Sequence, residues 1–282
     1  MHQLARLLAP WRGRTPHFHL ARRIPILRIS STATDATPHP SRKVRNLGII
    51  AHVDAGKTTV SERMLFYSGK TSFLGEVHTG STVMDYMDME RERGITIASA
   101  AITFPWKDYT INLIDTPGHV DFSAEVERAV MVLDGSVVVL DSVAGVQAQT
   151  ASVVQQAKRH RVPLIAFCNK MDREGADFEN TVRTIENTLH LNPLVLQLPL
   201  AGGTGVFGHV DVLSQKLICF SGENGEDVVE CSLDNVGESM PHIGKLVNDA
   251  FRDKVASYRS NLISKLVDLD DEFTQVLLIL SW

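Results

Sequence analysis

The stretch 46–59 constrains the fold more than any other part of the sequence, and it reads N-L-G-I-I-A-H-V-D-A-G-K-T-T. Its apolar first half predicts a buried strand, and its second half turns at Gly56 into a helical pattern. Strand, small-residue turn, lysine, hydroxyl and helix is the order of a phosphate-binding loop. The alternative is a turn that carries Gly-Lys-Thr without binding anything.

A phosphate-binding loop assigns a role to each of its polar groups. The backbone N–H groups of the turn and the positive end of the helix would receive phosphates. Lys57 would reach the β- and γ-phosphates, and the Thr58 hydroxyl would lie on Mg²⁺. Ala51 stands where the usual G-x-x-x-x-G-K-[ST] pattern has its first Gly, so the match is relaxed.

Two further polar stretches follow the loop in chain order. The first, at 84–97, is a charge cluster that ends in Gly94 and Thr96. A threonine in a mobile segment can bring its hydroxyl to Mg²⁺ and the γ-phosphate, although a solvated helix before an edge strand would have the same composition.

The second is D-T-P-G-H, in which Asp115 ends a predicted strand, Gly118 offers its N–H to the γ-phosphate and His119 stands beside the attacking water. Its alternative is a simple strand-to-turn cap.

The tetrapeptide Asn169-Lys170-Met171-Asp172 follows another apolar strand. Asp172 can accept hydrogen bonds from both N1–H and the 2-amino group of guanine, and adenine offers neither. Asn169 would contact guanine N7 and the neighbouring loops, and the Lys170 stem would cover the base. This motif therefore favours GTP over ATP and disfavours an ATP-using enzyme. The alternative is a helix start capped by an aspartate.

Predicted strands and helices alternate along the body of the chain. Apolar strands without period-2 alternation indicate a mostly parallel sheet covered by helices on both faces, an α/β fold. Ligands bind at the carboxyl ends of such strands. The predicted strands are 47–51, 102–106, 110–114, 136–140, 164–168 and 194–198, and the predicted helices are 57–68, 123–133, 147–160 and 178–191. After a glycine-rich boundary at 201–205, shorter strand patterns precede a long helix at about 243–269.

The first 34 residues carry six arginines and no acidic residue: Arg6, Arg12, Arg14, Arg22, Arg23 and Arg28. This composition predicts a mitochondrial transit peptide, and the alternative is a basic arm that binds nucleic acid. The whole chain has a net charge of −5, so its body is acidic and no direct sequence-specific nucleic-acid partner is expected. No apolar run is long enough for a transmembrane helix, so no membrane partner is expected. The three cysteines share no metal-ligand spacing.

Together, A-H-V-D-A-G-K-T-T, E-R-E-R-G-I-T-I, D-T-P-G-H-V-D-F and N-K-M-D resemble the G domain of the translational GTPases and are close to elongation factor G. The resemblance implies a P-loop G domain over 42–200 and an incomplete inserted subdomain over 201–282. It implies GTP or GDP and Mg²⁺ as cofactors, with Lys57 and His119 as catalytic residues and Thr58, Thr96 and Asp115 as metal ligands. The implied nucleotide-binding residues are Asp54, Ala55, Gly56, Lys57, Thr58, Thr59, Asp115, Gly118, His119, Asn169, Lys170 and Asp172.

In this family the reaction is hydrolysis of the γ-phosphate by in-line attack of water. With the arginine-rich leader, the resemblance implies a mitochondrial matrix GTPase whose partners are the mitochondrial ribosome and the ribosome recycling factor. The stretches T-V-M-D-Y-M and L-V-L-Q-L-P-L resemble the branch of the family that recycles ribosomes more than the branch that catalyses translocation. Family members are more than twice as long, so we expect a truncated product. A remnant without autonomous GTPase activity is therefore the competing hypothesis.

Overall fold

A computed structural model describes residues 43–73, 75, 100–116, 123–202, 205–222 and 225–280. The chain divides into two compact units, each made of two stretches of sequence. The first unit comprises the residues up to 139 together with 152–167, and the second comprises 140–151 together with the residues from 168 onward. The predicted transit peptide over 1–34 lies outside the described residues. The predicted domain boundary at 200/201 stays a prediction.

A five-stranded sheet carries the phosphate loop, and its strand order is β2-β3-β1-β4-β5. Its strands are β1 (Val44–Ala51), β2 (Ala100–Trp106), β3 (Tyr109–Asp115), β4 (Gly135–Asp141) and β5 (Leu164–Asn169). β1 runs parallel to β3 and β4, and β2 is antiparallel to β3. The helices that follow β1, β3, β4 and β5 are α1 (Lys57–Tyr67), α2 (Ser123–Val130), α3 (Ala148–Arg159) and α4 (Phe178–Leu189).

Helices cover both faces of this sheet, as the sequence predicts. On one face of β1, Leu47 and Ile49 pack with Leu65 of α1. On the other face, Ile50 packs with Val126 of α2 and with Ala157 of α3. Because consecutive residues of a strand point to opposite faces, this division explains the unbroken apolar run in β1. The α/β prediction with a mostly parallel sheet is confirmed.

The second unit contains a four-stranded sheet in the order β6-β7-β8-β9, with each neighbouring pair antiparallel. Its strands are β6 (Gln197–Gly202), β7 (Gly205–Asp211), β8 (Lys216–Ser221) and β9 (Asp227–Ser232). The helices that follow are α5 (Val236–Ser239), α6 (Pro241–Gly244), α7 (Asp249–Leu269) and α8 (Asp271–Leu280). Leu198, Val210 and Leu217 form its core with Val255 and Leu262 of α7.

Three details of this unit differ from the predicted elements. The strand predicted at 194–198 begins only at Gln197 and pairs with β7, so it belongs to the antiparallel sheet. The long helix predicted from 243 begins at Asp249, because the Asn248 side chain caps it by accepting a hydrogen bond from Phe251 N at 2.9 Å. β9 was not predicted. Among the described residues, no helix is long and apolar enough to cross a bilayer.

Gly208 of β7 lies where a side chain has no room. A Cβ there would be 2.5 Å from the Ile218 carbonyl oxygen and 2.9 Å from Cys219 Sγ, and the carbonyl belongs to the paired strand β8. We expect Gly208→Ala to lower the free energy of unfolding by about 1–3 kcal/mol, measured by urea denaturation, because the two strands would have to separate locally.

Gly237 of α5 supplies the matched control, since a Cβ at this exposed position would meet no atom within 4 Å. Gly237→Ala should leave stability unchanged or raise it by up to about 1 kcal/mol. Equal stability of Gly208→Ala and the wild type would contradict the close approach of β7 and β8.

Candidate nucleotide-binding site

The loop between β1 and α1 adopts the backbone geometry of a phosphate-binding turn. Asp54 has φ 62° and Gly56 has φ 93°, and Ala55 N donates a hydrogen bond to His52 O at 3.1 Å. Left-handed residues in a tight turn make the concave N–H arrangement that binds anions. Aspartate tolerates this conformation better than most residues, which accounts for Asp54.

Ala51 is compatible with this geometry although the usual motif has glycine there. It is the last residue of β1, it is 5 % exposed, and it is not among the described residues with positive φ. The positions that need a left-handed backbone are therefore 54 and 56. The relaxed match in the sequence does not weaken the loop.

Lys57 and Asp115 meet in the buried part of the site. The distance from Lys57 Nζ to Asp115 Oδ1 is 2.6 Å, and the two side chains are 9 % and 0 % exposed. The parallel register places Asp115 beside Ile49, at the end of the strand next to β1. The neighbouring Thr116 hydroxyl donates to Ile49 O at 2.7 Å and ties the two strand ends together. The geometry thus brings the phosphate loop and the start of the D-T-P-G-H stretch together.

The donors present fit Mg²⁺. Thr58, at the start of α1, is 8 % exposed, and the Asp115 carboxylate is fully buried. A hydroxyl and a carboxylate are hard oxygen ligands, the kind that magnesium takes in small number while substrate phosphates and water complete its shell.

The other predicted residues of the phosphate loop differ in exposure: Ala55 is buried, whereas Asp54 and Thr59 are exposed. Thr96, Gly118 and His119 lie outside the described residues, and their roles stay predictions.

The guanine motif begins at the end of β5. Lys170 has φ 58°, and its carbonyl oxygen accepts a hydrogen bond from Arg173 N at 3.1 Å, which closes a turn. Asp172 lies in this turn and is exposed, while Asn169 and Lys170 are partly buried. A carboxylate held on an exposed turn is accessible to a base, as the predicted role of Asp172 requires.

Asp141, at the end of β4, is a residue whose importance the sequence did not reveal. Its Oδ2 lies 2.6 Å from Lys170 Nζ, and its Oδ1 accepts from Val143 N at 2.8 Å. Burial by itself raises the pKa of Asp141, but the Lys170 ammonium and the N–H groups of Val143 and Ala144 outweigh it, so the pKa lies below the ordinary value. The available signal was an aspartate directly after an apolar strand, the same signal that identified Asp115.

Cys168 precedes the guanine motif and takes no part in ionic chemistry. Burial raises the pKa of its thiol to about 12. The side chain is therefore a neutral thiol at physiological pH and serves as an apolar neighbour of Asn169.

Comparison with known proteins places these motifs in a family. The model of the elongation factor Tu GTP-binding domain matches residues 42–273. The chain is 46% identical over 260 residues to a protein of Danio rerio named ribosome-releasing factor 2, mitochondrial, an alignment that covers 89% of this chain and 32% of that protein. It is 50% identical over 241 residues to the Bos taurus protein of the same name, covering 85% and 30% respectively.

A solved structure supports the fold alone. A crystal structure of a protein from Thermus thermophilus matches with a TM-score of 0.73 at 24% identity and covers 84% of this chain and 33% of the other. The chain thus spans about a third of the length of the relatives that it matches. The family match extends over most of the chain and includes both the phosphate loop and the guanine motif. The chain belongs to the elongation factor Tu GTP-binding domain family.

Proposed function

We propose that this chain is the GTP-binding and GTP-hydrolysing part of a mitochondrial translation factor that acts in ribosome recycling. The observation that carries the proposal is its 46% and 50% identity, over most of the chain, to proteins named mitochondrial ribosome-releasing factor 2. The partners are then the mitochondrial ribosome and the ribosome recycling factor, and the compartment is the matrix. The arginine-rich first 34 residues support import as a transit peptide.

Phosphate binding rests on the loop between β1 and α1. Its left-handed turn presents N–H groups to the phosphates, and the N-terminus of α1 adds a favourable dipole. Lys57 would contact the β- and γ-phosphates, with Thr58 and Asp115 holding Mg²⁺. The bound ion would neutralise charge that builds up on the phosphates during hydrolysis.

Hydrolysis in this proposal depends mainly on positioning and charge stabilisation. Thr96 and Gly118 would order their segments around the γ-phosphate, and His119 would orient the attacking water in line with the leaving group. Since His119 is productive only when correctly oriented, turnover of the chain alone is slow, and ribosomes accelerate it.

Two measurements on the purified chain test the proposal. Titration with GTP, GDP and ATP should give tight binding of the guanine nucleotides only, and equal ATP affinity would overturn the guanine assignment. GTP hydrolysis should rise when mitochondrial ribosomes are added. The choice between recycling and the elongation alternative needs the full-length gene product, assayed for splitting of post-termination ribosomes against translocation on programmed ones.

Asp172→Asn tests the base-reading role. The asparagine NH2 cannot accept a hydrogen bond from the guanine 2-amino group, as a carboxylate oxygen does, but it can donate one to the 2-oxo group of xanthine. We expect GDP affinity to fall by about 100-fold or more, with xanthosine diphosphate becoming the better ligand, because the guanine 2-amino group would lose its acceptor and face an N–H donor instead. Competition binding measures both.

Asp268→Asn is the matched control, since Asp268 is exposed on α7 and lies outside the motif. It should bind GDP like the wild type. Retention of full GDP preference in Asp172→Asn would contradict the assignment.

Lys57→Ala tests the phosphate loop. The substitution removes the positive charge that would contact the phosphates. It also leaves the buried Asp115 carboxylate without its 2.6 Å partner. We expect GTP affinity to fall by about two orders of magnitude or more, by isothermal titration calorimetry, since charge-assisted hydrogen bonds are the strong ones.

The control is Lys158→Ala, which removes an exposed lysine of α3 and should leave affinity unchanged. Circular dichroism should show that both variants are folded. Wild-type affinity in a folded Lys57→Ala chain would overturn the phosphate-loop assignment.

A further inference from the structure

We propose that Asp141 is the positioning residue of the guanine site: it holds the Lys170 side chain and the turn at 142–146 in the arrangement that a guanine base requires. This inference rests on the proposed function, because it assumes that Lys170 covers the base of a bound guanine nucleotide. It adds to that function a residue outside the guanine motif, at the end of a different strand.

The first contact restrains Lys170. Its Nζ lies 2.6 Å from Asp141 Oδ2, and the side chains of lysine and aspartate are only 14 % and 20 % exposed. With the backbone of Lys170 in the left-handed region and its ammonium fixed at the far end, both ends of the four-carbon stem are held. A free lysine loses side-chain entropy when it is ordered, so a lysine that is already held binds a base more favourably.

The second carboxylate oxygen shapes the turn after β4. Asp141 Oδ1 accepts hydrogen bonds from Val143 N at 2.8 Å and Ala144 N at 3.4 Å, and the Asp141 carbonyl oxygen accepts from Gly145 N at 2.8 Å. Gly145 has φ 68°, and a Cβ there would be 3.0 Å from Thr184. One aspartate therefore fixes the lysine with one oxygen and the turn with the other.

The turn is also bonded to the guanine motif and to α4. Ser142 N donates to Asn169 O at 3.0 Å, and Asp177 N donates to Ser142 O at 2.9 Å. Farther along the turn, Val146 N donates to Thr184 Oγ1 at 3.1 Å. Displacement of the turn would move the backbone of Asn169 and the start of α4 together. Asp141 thus acts on the motif by two routes, through Lys170 and through Asn169.

The competing interpretation is an ion pair that only stabilises the fold. The two interpretations differ in what Lys170 does after the carboxylate is neutralised. A positioning role requires that Lys170 loosens and that the loss of guanine affinity depends on Lys170. A merely structural role predicts a lower melting temperature with affinity losses that are independent of Lys170.

The first experiment needs no nucleotide. In Asp141→Asn, the acetylation rate of Lys170 by acetic anhydride, followed by mass spectrometry, should rise about fivefold because the charge-assisted hydrogen bond is lost. Lys158 serves as the internal reference. The matched control is Asp211→Asn, since Asp211 Oδ1 closes a comparable strand-end turn by accepting from Ser214 N at 2.7 Å. Unchanged Lys170 labelling in Asp141→Asn would overturn the proposal.

The second experiment is a double-mutant cycle with fluorescent methylanthraniloyl-GDP. Asp141→Asn should weaken binding about tenfold in the wild-type background and clearly less in the Lys170→Met background, because the lost interaction acts through Lys170. Full additivity in chains that remain folded by circular dichroism would overturn the positioning role. If Asp141→Asn folds poorly, Asp141→Ser replaces it in the cycle, since a serine hydroxyl can still accept a hydrogen bond from the turn but offers no charge to Lys170.

The outcomes separate this inference from the proposed function. A wild-type chain that binds GDP, with an Asp141→Asn variant that binds it equally well, refutes only the role of Asp141. A wild-type chain that binds no guanine nucleotide refutes the proposed function and, with it, the guanine role of Asp141. Whenever the wild type binds GDP, Asp211→Asn should bind it with the same affinity.

Discussion

The phosphate loop depends on a strand that has no exposed face. Leu47, Ile49 and Ile50 of β1 are 4%, 0% and 1% exposed, and β1 lies between two parallel neighbours. Such a strand is fixed in register by its packing on both sides, since a shift by one residue would exchange its two apolar faces. The first place where the chain can turn is its carboxyl end. The loop that begins after Ala51 is therefore held by the core of the unit, although the loop itself is polar.

The two nucleotide motifs use the same electrostatic arrangement at different strand ends. Lys57 follows β1 and pairs with the aspartate that ends the adjacent strand β3. Lys170 follows β5 and pairs with the aspartate that ends the adjacent strand β4. In each pair the lysine belongs to a loop and the aspartate to the end of a strand. A charge in a partly buried place needs such a partner, because desolvation would otherwise favour its neutral form.

The residues that the sequence identified are those whose chemistry is tied to short spacing. Gly56, Lys57 and Thr58 are adjacent in the chain, and so are the residues from Asn169 to Asp172, so both motifs could be recognised without knowing the fold. Alternation of apolar runs with helical patterns was sufficient for the α/β sheet. Asp141 was missed because its partner is 29 positions away, and only the pairing of β4 with β5 brings Lys170 to it.

The second unit was harder to predict for a similar reason. The apolar residues before β6 continue the pattern of a strand, and only the long-range pairing with β7 shows which of them belong to the sheet. β9 reads D-V-V-E-C-S, and its burial pattern is largely exposed, so it lacks the apolar face that marks a strand in the sequence. The start of α7 did have a local signal, the capping residue Asn248, which the apolar stretch before it obscured.

The lowered pKa of Asp141 has a consequence for proton linkage. A carboxyl group whose pKa is lower in the folded chain than in the unfolded chain contributes stability above its unfolded pKa, and this contribution is lost as the pH falls through the folded value. Asp141 therefore exchanges no proton between neutral and mildly alkaline pH. Its two carboxylate oxygens remain acceptors for the Lys170 side chain and for the N–H groups of Val143 and Ala144 over that range, so protonation of Asp141 does not loosen the turn after β4.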